Sequence, residues 1–95
     1  MTVRWTRPAL RDLETIGDFI ARDDPSAATR VVALILERAD RLGVHPHIGR
    51  AGRVPQTREL VVAGTPFVVA YRVRADAAEV LAVVHGSRRW PEGFG

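Results

Sequence analysis

The chain has no cysteine, and with it go disulfide frameworks, thiolate metal sites and cysteine nucleophiles. Lysine is missing as well. All 14 basic residues are arginine, so there is no lysine to act as Schiff-base former, general base or P-loop phosphate ligand. Aromatic residues are only 6% of the chain, a thin stacking platform for a plain nucleic-acid-binding module. No apolar run approaches the ~20 residues of a membrane span, and no basic region followed by an apolar stretch opens the chain. The expectation is a cytoplasmic protein with no membrane partner. Neither a G-x-G-x-x-G nor a Walker A pattern occurs, and the one G-x-x-G spacing, Gly49 to Gly52, carries no lysine.

What remains is a globular balance. With 95 residues, 46% apolar and 26% charged, the chain makes one domain (1–95) with a small core, and disorder is excluded for its bulk. The net charge of +3 is placed unevenly. Acids balance arginines up to residue 49, so the whole excess lies in the second half. No acid falls between Asp40 and Glu59, where Arg41, Arg50, Arg53 and Arg58 stand with His45 and His47. None falls between Val80 and Pro91, where His85, Arg88 and Arg89 cluster and residues 86–95 form a basic tail. Arginine suits phosphates and carboxylates alike, so an anionic partner is implied and its kind is not.

Periodicity gives the architecture. Thr2 to Trp5 alternates as a short strand. Thr6 before Arg7-Pro8 is a helix start, and Leu10, Leu13, Ile16 and Ile20 recur at helical spacing. Asp24-Pro25 starts a second helix, with Ala28, Val31, Val32, Ile35, Ala39 and Leu42 inward and Gly43 as the stop. The tight break between them predicts a helical hairpin. Gly43, Pro46, Gly49, Gly52 and Pro55 then mark a loop over 43–57. Strands are predicted at Arg58–Val62, Phe67–Val73 and Glu79–Val84, the last two apolar on both faces and so central in their sheet. The order β-α-α-β-β-β is an α+β fold with the hairpin on one face of a small antiparallel-rich sheet. The turn before the last strand is expected over Arg74–Ala78. If the second and last strands are neighbours, the two acid-free stretches converge.

Few residues suggest catalysis. His45-Pro46-His47 resembles a metal pair, but proline separates the two and no third ligand is near, so no metal and no cofactor are expected. Asp23-Asp24 is explained by capping. Glu59 borders the basic loop, and a salt bridge to Arg58, Arg72 or another arginine is its simplest role. Alternation puts His85 on the side of Leu81 and Val83, at a strand end where a half-buried histidine often bonds to backbone.

Three stretches carry a resemblance. Gly49-Arg50-Ala51-Gly52-Arg53-Val54, running on to Thr57-Arg58-Glu59-Leu60, is similar to a segment of the RelE/ParE-type toxins. Thr65-Pro66-Phe67 through Val69-Ala70-Tyr71-Arg72-Val73 is similar to the strand that follows there. The close, Leu81 through His85-Gly86 to Arg88 and Trp90, resembles the family's ending. Trp5, Ala9, Asp12-Leu13, Ile16, Phe19-Ile20 and Asp24-Pro25 fit its N-terminal half. The resemblance implies a toxin of a type II toxin–antitoxin module, held in a hetero-oligomer by a cognate antitoxin.

It implies one of two targets. ParE-like members inhibit DNA gyrase and so replication, a plasmid-stabilising activity without catalysis. RelE-like members are metal-independent endoribonucleases that cut mRNA on the ribosome. The ribonuclease branch carries basic residues where this chain has Glu59 and Val61, and an arginine where it has Val68, while Arg88 keeps its basic place. The expectation is therefore the gyrase-directed toxin, with Arg50, Arg53, Arg58, Arg72, His85, Arg88, Arg89 and Trp90 as target-binding residues. The ribonuclease alternative needs Glu59, His85 and Arg88 around one phosphate-sized space, as acid, base and cation.

Overall fold

The structure, a computed structural model, describes residues 1–87. Strand β1 (Thr2–Trp5) leads into α1 (Arg7–Ala21), then α2 (Pro25–Asp40) and a 3₁₀ turn (Arg41–Gly43). Four strands follow: β2 (Arg50–Ala51), β3 (Arg58–Val61), β4 (Phe67–Arg74) and β5 (Ala77–His85). The sheet runs β1-β5-β4-β3-β2. Strand β1 lies parallel to β5, and every other pair is antiparallel.

Both helix starts are built from the residues that the sequence marks. Thr6 is extended at φ −71° and its hydroxyl accepts the Ala9 N–H, satisfying one of the orphan donors of the first turn. The same hydroxyl donates to the Val80 carbonyl at 2.8 Å. One side chain therefore ends β1, starts α1 and ties both to β5. Asp24 repeats the device at α2, accepting from the Ala27 N–H at 3.0 Å with Pro25 behind it. Ala9 and Ala39 are fully buried, which lets both helices lie close on the sheet. Leu13, Ile35, Val62, Val69, Val80 and Val83 complete that core, and Leu42, Tyr71 and Ala78 form a smaller cluster beside it. Each large side chain buried here contributes roughly 1.5–3 kcal/mol.

Four expectations need correction. The β4–β5 turn is two residues long, because Arg74 already pairs with Ala77 and Ala75 bends the chain at φ +55°. The basic loop contains a short edge strand, β2, paired with β3. Strand β3 does not neighbour β5, since β4 lies between them. Finally, Ala70 pairs with Ala82 but Tyr71 with Val80. Leu81 is the extra residue of a bulge, and the alternation grouping it with Val83 breaks there.

Thr6→Ala should cost about 0.5–2 kcal/mol, because it removes a cap and a strand tie together. Thr6→Ser should retain most of that stability. Urea unfolding of the two variants beside the parent measures the difference.

Candidate functional site

Pairing assigns every strand residue to a face of the sheet. Val69 and Val83 form a pair within the core under the helices. Phe67 and His85, two residues along on each strand, share that face. Ala70 lies between Val69 and Tyr71 and points the other way, and Glu59 is its partner on β3. Glu59 and His85 therefore sit on opposite faces. The structure does not bring them together as acid and base.

On the face away from the helices, Glu59 is 3% exposed. Its Oε1 accepts from Arg50 Nη2 at 3.0 Å and Nε at 3.3 Å. Its Oε2 accepts the Arg53 backbone N–H at 2.8 Å and lies 3.7 Å from that residue's Nε. Arg53 also donates to the Gly86 carbonyl at 3.5 Å, which brings the basic loop to the end of β5. The partners expected for Glu59 by name, Arg58 and Arg72, have other roles. Arg72 Nε meets Glu79 at 2.6 Å, and Arg4 holds the other oxygen at 2.9 Å. The Arg72 hydrogen bond, helped by Arg4 and opposed by some desolvation, pulls the Glu79 carboxyl below its usual range. Arg58 donates to the carbonyls of Gly49 and His47, at 2.8 and 3.3 Å.

Tyr71 secures the start of the basic loop. It is fully buried, and its hydroxyl donates to the Pro46 carbonyl at 2.8 Å while accepting the Gly49 N–H at 2.9 Å. Burial raises its pKa above 10, against the bond from Gly49 and the charge of Arg58. Gly49 is required by close approach: a Cβ there would lie 2.7 Å from the Tyr71 ring.

On the helix face, a cavity of about 260 Å³ is lined by Asp12, Thr15, Ile16, Phe19, Phe67, Val83 and His85. The His85 ring stands edge-on to Phe67, centroids 5.8 Å apart. Its Nδ1 accepts the Ser87 backbone N–H at 3.2 Å, so in this arrangement a neutral ring carries its proton on Nε2. Asp12 accepts the Val83 N–H at 3.0 Å, where β1 has ended and β5 has an unpaired edge. Burial raises the Asp12 pKa above its ordinary 3.8, partly offset by that bond. Between the helices runs a second, open groove of about 440 Å³, lined by Gly17, Ala28, Thr29, Val32, Ala33 and Leu36. Phe19 and Leu36 stay exposed along these hollows, at 60% and 41%.

Arg50, Arg53 and Glu59 thus form one unit reaching Gly86, while Arg58 and Arg72 belong to separate structural ties. Arg88, Arg89 and Trp90 lie outside the described residues. No three His, Asp or Glu side chains among the described residues are placed to hold a metal. No helix among them is long and apolar enough to cross a membrane. Sequence reasoning missed Asp12 and the Tyr71 hydroxyl. Asp12 had a signal, since it falls three residues after Ala9 and four before Ile16, on the apolar stripe.

The family model described as the ParE toxin of the type II toxin–antitoxin system parDE matches residues 3–90. Toxin Y4kP of Sinorhizobium fredii is 48% identical over 90 residues, covering 95% of this chain and 93% of that protein. Toxin RelE2 of Caulobacter vibrioides is 36% identical, covering 90% and 96%. A solved chromosomal ParDE toxin–antitoxin system from P. aeruginosa superposes with a TM-score of 0.81 at 30% identity, covering 90% of this chain and 95% of the other.

Two substitutions test these bonds. Tyr71→Phe strands the Gly49 N–H and the Pro46 carbonyl and should cost about 1–3 kcal/mol. Faster amide exchange over 46–50 would accompany it. Asp12 acts through pH. With its folded pKa raised above 3.8, the folded state holds more protons in the window between the two values, so this residue's contribution to stability falls as pH rises through it. Asp12→Asn keeps an acceptor for Val83 and should flatten that dependence. Asp12→Ala should lose about 1–3 kcal/mol at neutral pH. Denaturant midpoints from pH 3.5 to 7 separate the two.

Proposed function

We propose that this chain, which belongs to the ParE toxin family of type II toxin–antitoxin systems, arrests growth by binding DNA gyrase and not by cutting RNA. The observation that carries the reading is the state of Glu59. Where the ribonuclease branch carries a cation, this chain has a buried carboxylate clamped by Arg50 and Arg53, with His85 across the sheet. Cleavage through a 2′-hydroxyl needs an acid, a base and a cation around one phosphate. Both Glu59 oxygens are already engaged by Arg50 and Arg53, and its expected partner faces the other way.

The target surface in this reading is the basic loop with Arg50 and Arg53, with Arg72 on the same face of the sheet. Arg58 and His85 lie toward the helix face, and Arg88, Arg89 and Trp90 lie outside the described residues. Membership of the family implies an antitoxin partner. Its place is the opposite side of the molecule, on the apolar groove between α1 and α2 and the neighbouring Phe19. Exposed apolar surface of this kind marks partner sites. Family membership supports the antitoxin, and the Glu59 clamp supports the non-catalytic action.

The free toxin should inhibit gyrase supercoiling in vitro, and induction in cells should leave transcripts intact. Ribosome-dependent transcript cleavage with untouched supercoiling would replace this reading with the ribonuclease one. The antitoxin complex should persist in ~1 M salt, where the Debye length is ~3 Å and a purely ionic interface would separate.

A further inference from the structure

We propose that Glu59 is a positioning residue: its carboxylate sets Arg50 and Arg53 as a fixed pair of cations on the target-facing surface. This rests on reading those two arginines as target contacts. Four observations carry it. Both carboxylate oxygens are engaged, by Arg50 through two N–H groups and by the Arg53 backbone. The carboxylate side chain is 2% exposed while the Arg50 and Arg53 side chains are 57% and 47% exposed, so the anion is hidden and the cations are presented. The hydrogen bond that the Arg53 N–H donates to Glu59 closes a strained turn. Within it Gly52 donates to the Thr57 carbonyl at 2.8 Å, Thr57 bonds Val54, and Gln56 sits at φ +66°. Arg53 in turn reaches the Gly86 carbonyl, so the loop and the end of β5 are set by one carboxylate.

Stability alone is a weak reason for this arrangement. Ion pairs with half-exposed arginines contribute little, and burying a carboxylate costs desolvation. A left-handed, non-glycine residue such as Gln56 is strained and persists where its surroundings over-determine it. What the cluster provides is two guanidinium groups held in place before the target arrives, which lowers the entropy lost on binding.

Charge and positioning make opposite predictions for Glu59→Gln. The substitution raises the net charge by one, so a toxin acting through its cation count would bind an anionic target more tightly. A toxin acting through positioned cations would weaken, because Arg50 loses its charged anchor. The measurement is the toxin dose giving half-maximal growth arrest in cells lacking antitoxin. Protein level is checked by immunoblot, folding by thermal melting and antitoxin titration.

The expected result is that Glu59→Gln needs roughly five- to tenfold more toxin, a loss typical of a charge-assisted bond, at unchanged antitoxin affinity. Glu59→Asp keeps the charge but is one methylene short, and should weaken in the same direction. That second variant decides the matter if the first fails to fold. The Arg50→Ala, Arg53→Ala double variant should lose arrest. If the double variant loses arrest while Glu59→Gln matches or exceeds the parent, positioning is overturned and the target-contact reading stands. If the double variant is as toxic as the parent, the target-contact reading fails and positioning with it.

Discussion

The antiparallel pairing of β4 with β5 is the constraint on which the rest depends. It runs from Phe67 opposite His85 to Arg74 opposite Ala77, through the most thoroughly buried stretch of the chain. A one-residue slip in a sheet exchanges its two faces. Here a slip of β4 would turn Val69 and Tyr71 out of the core and Ala70 into it, and β3 would follow with Glu59. The bulge at Leu81 keeps Tyr71 and Val80 on the core side while the strands twist. Which side chains face the helices, and which face the basic loop, is settled by this one register.

From the register follow two surfaces of different chemistry. One side carries the helices, with apolar hollows, exposed Phe19 and Leu36, and a half-buried Asp12 closing the edge that β1 leaves open. The other carries carboxylates, each shared between arginines: Glu59 between Arg50 and Arg53, Glu79 between Arg4 and Arg72. An apolar groove suits a partner segment that folds as it binds. Fixed guanidinium groups suit a target met transiently in solution. On the proposed gyrase reading, a toxin held by one protein and acting on another needs two such surfaces, and a five-stranded sheet one layer thick separates them.

The legibility of this arrangement in the sequence varied with the range of the interactions. Thr6 and Asp24 were read correctly because capping is local: a short polar side chain, a proline and a bond three residues on. The central place of β4 and β5 was legible because burial on both faces leaves an unbroken apolar run. The β4–β5 turn was read too long, since Ala75 takes a left-handed φ that only glycine or asparagine would have advertised. The neighbourhood of β3 and β5 could not be read at all, because strand order is set by packing across the whole domain. Glu59 was recognised as salt-bridged, but its partners come from β2 and a turn whose course depends on Gln56 at positive φ and on Tyr71 far along the chain. The Tyr71 hydroxyl was hidden inside a strand that read as largely apolar.

The central claim is that the loop bearing Arg50 and Arg53, and not the helical face, meets the target. Hydrogen–deuterium exchange of the toxin alone and with purified DNA gyrase tests it most directly. The account predicts slowed exchange over 49–61 and at the end of β5, with α1 and α2 unchanged. Protection confined to α1 and α2, with the loop exchanging as in the free toxin, would contradict it.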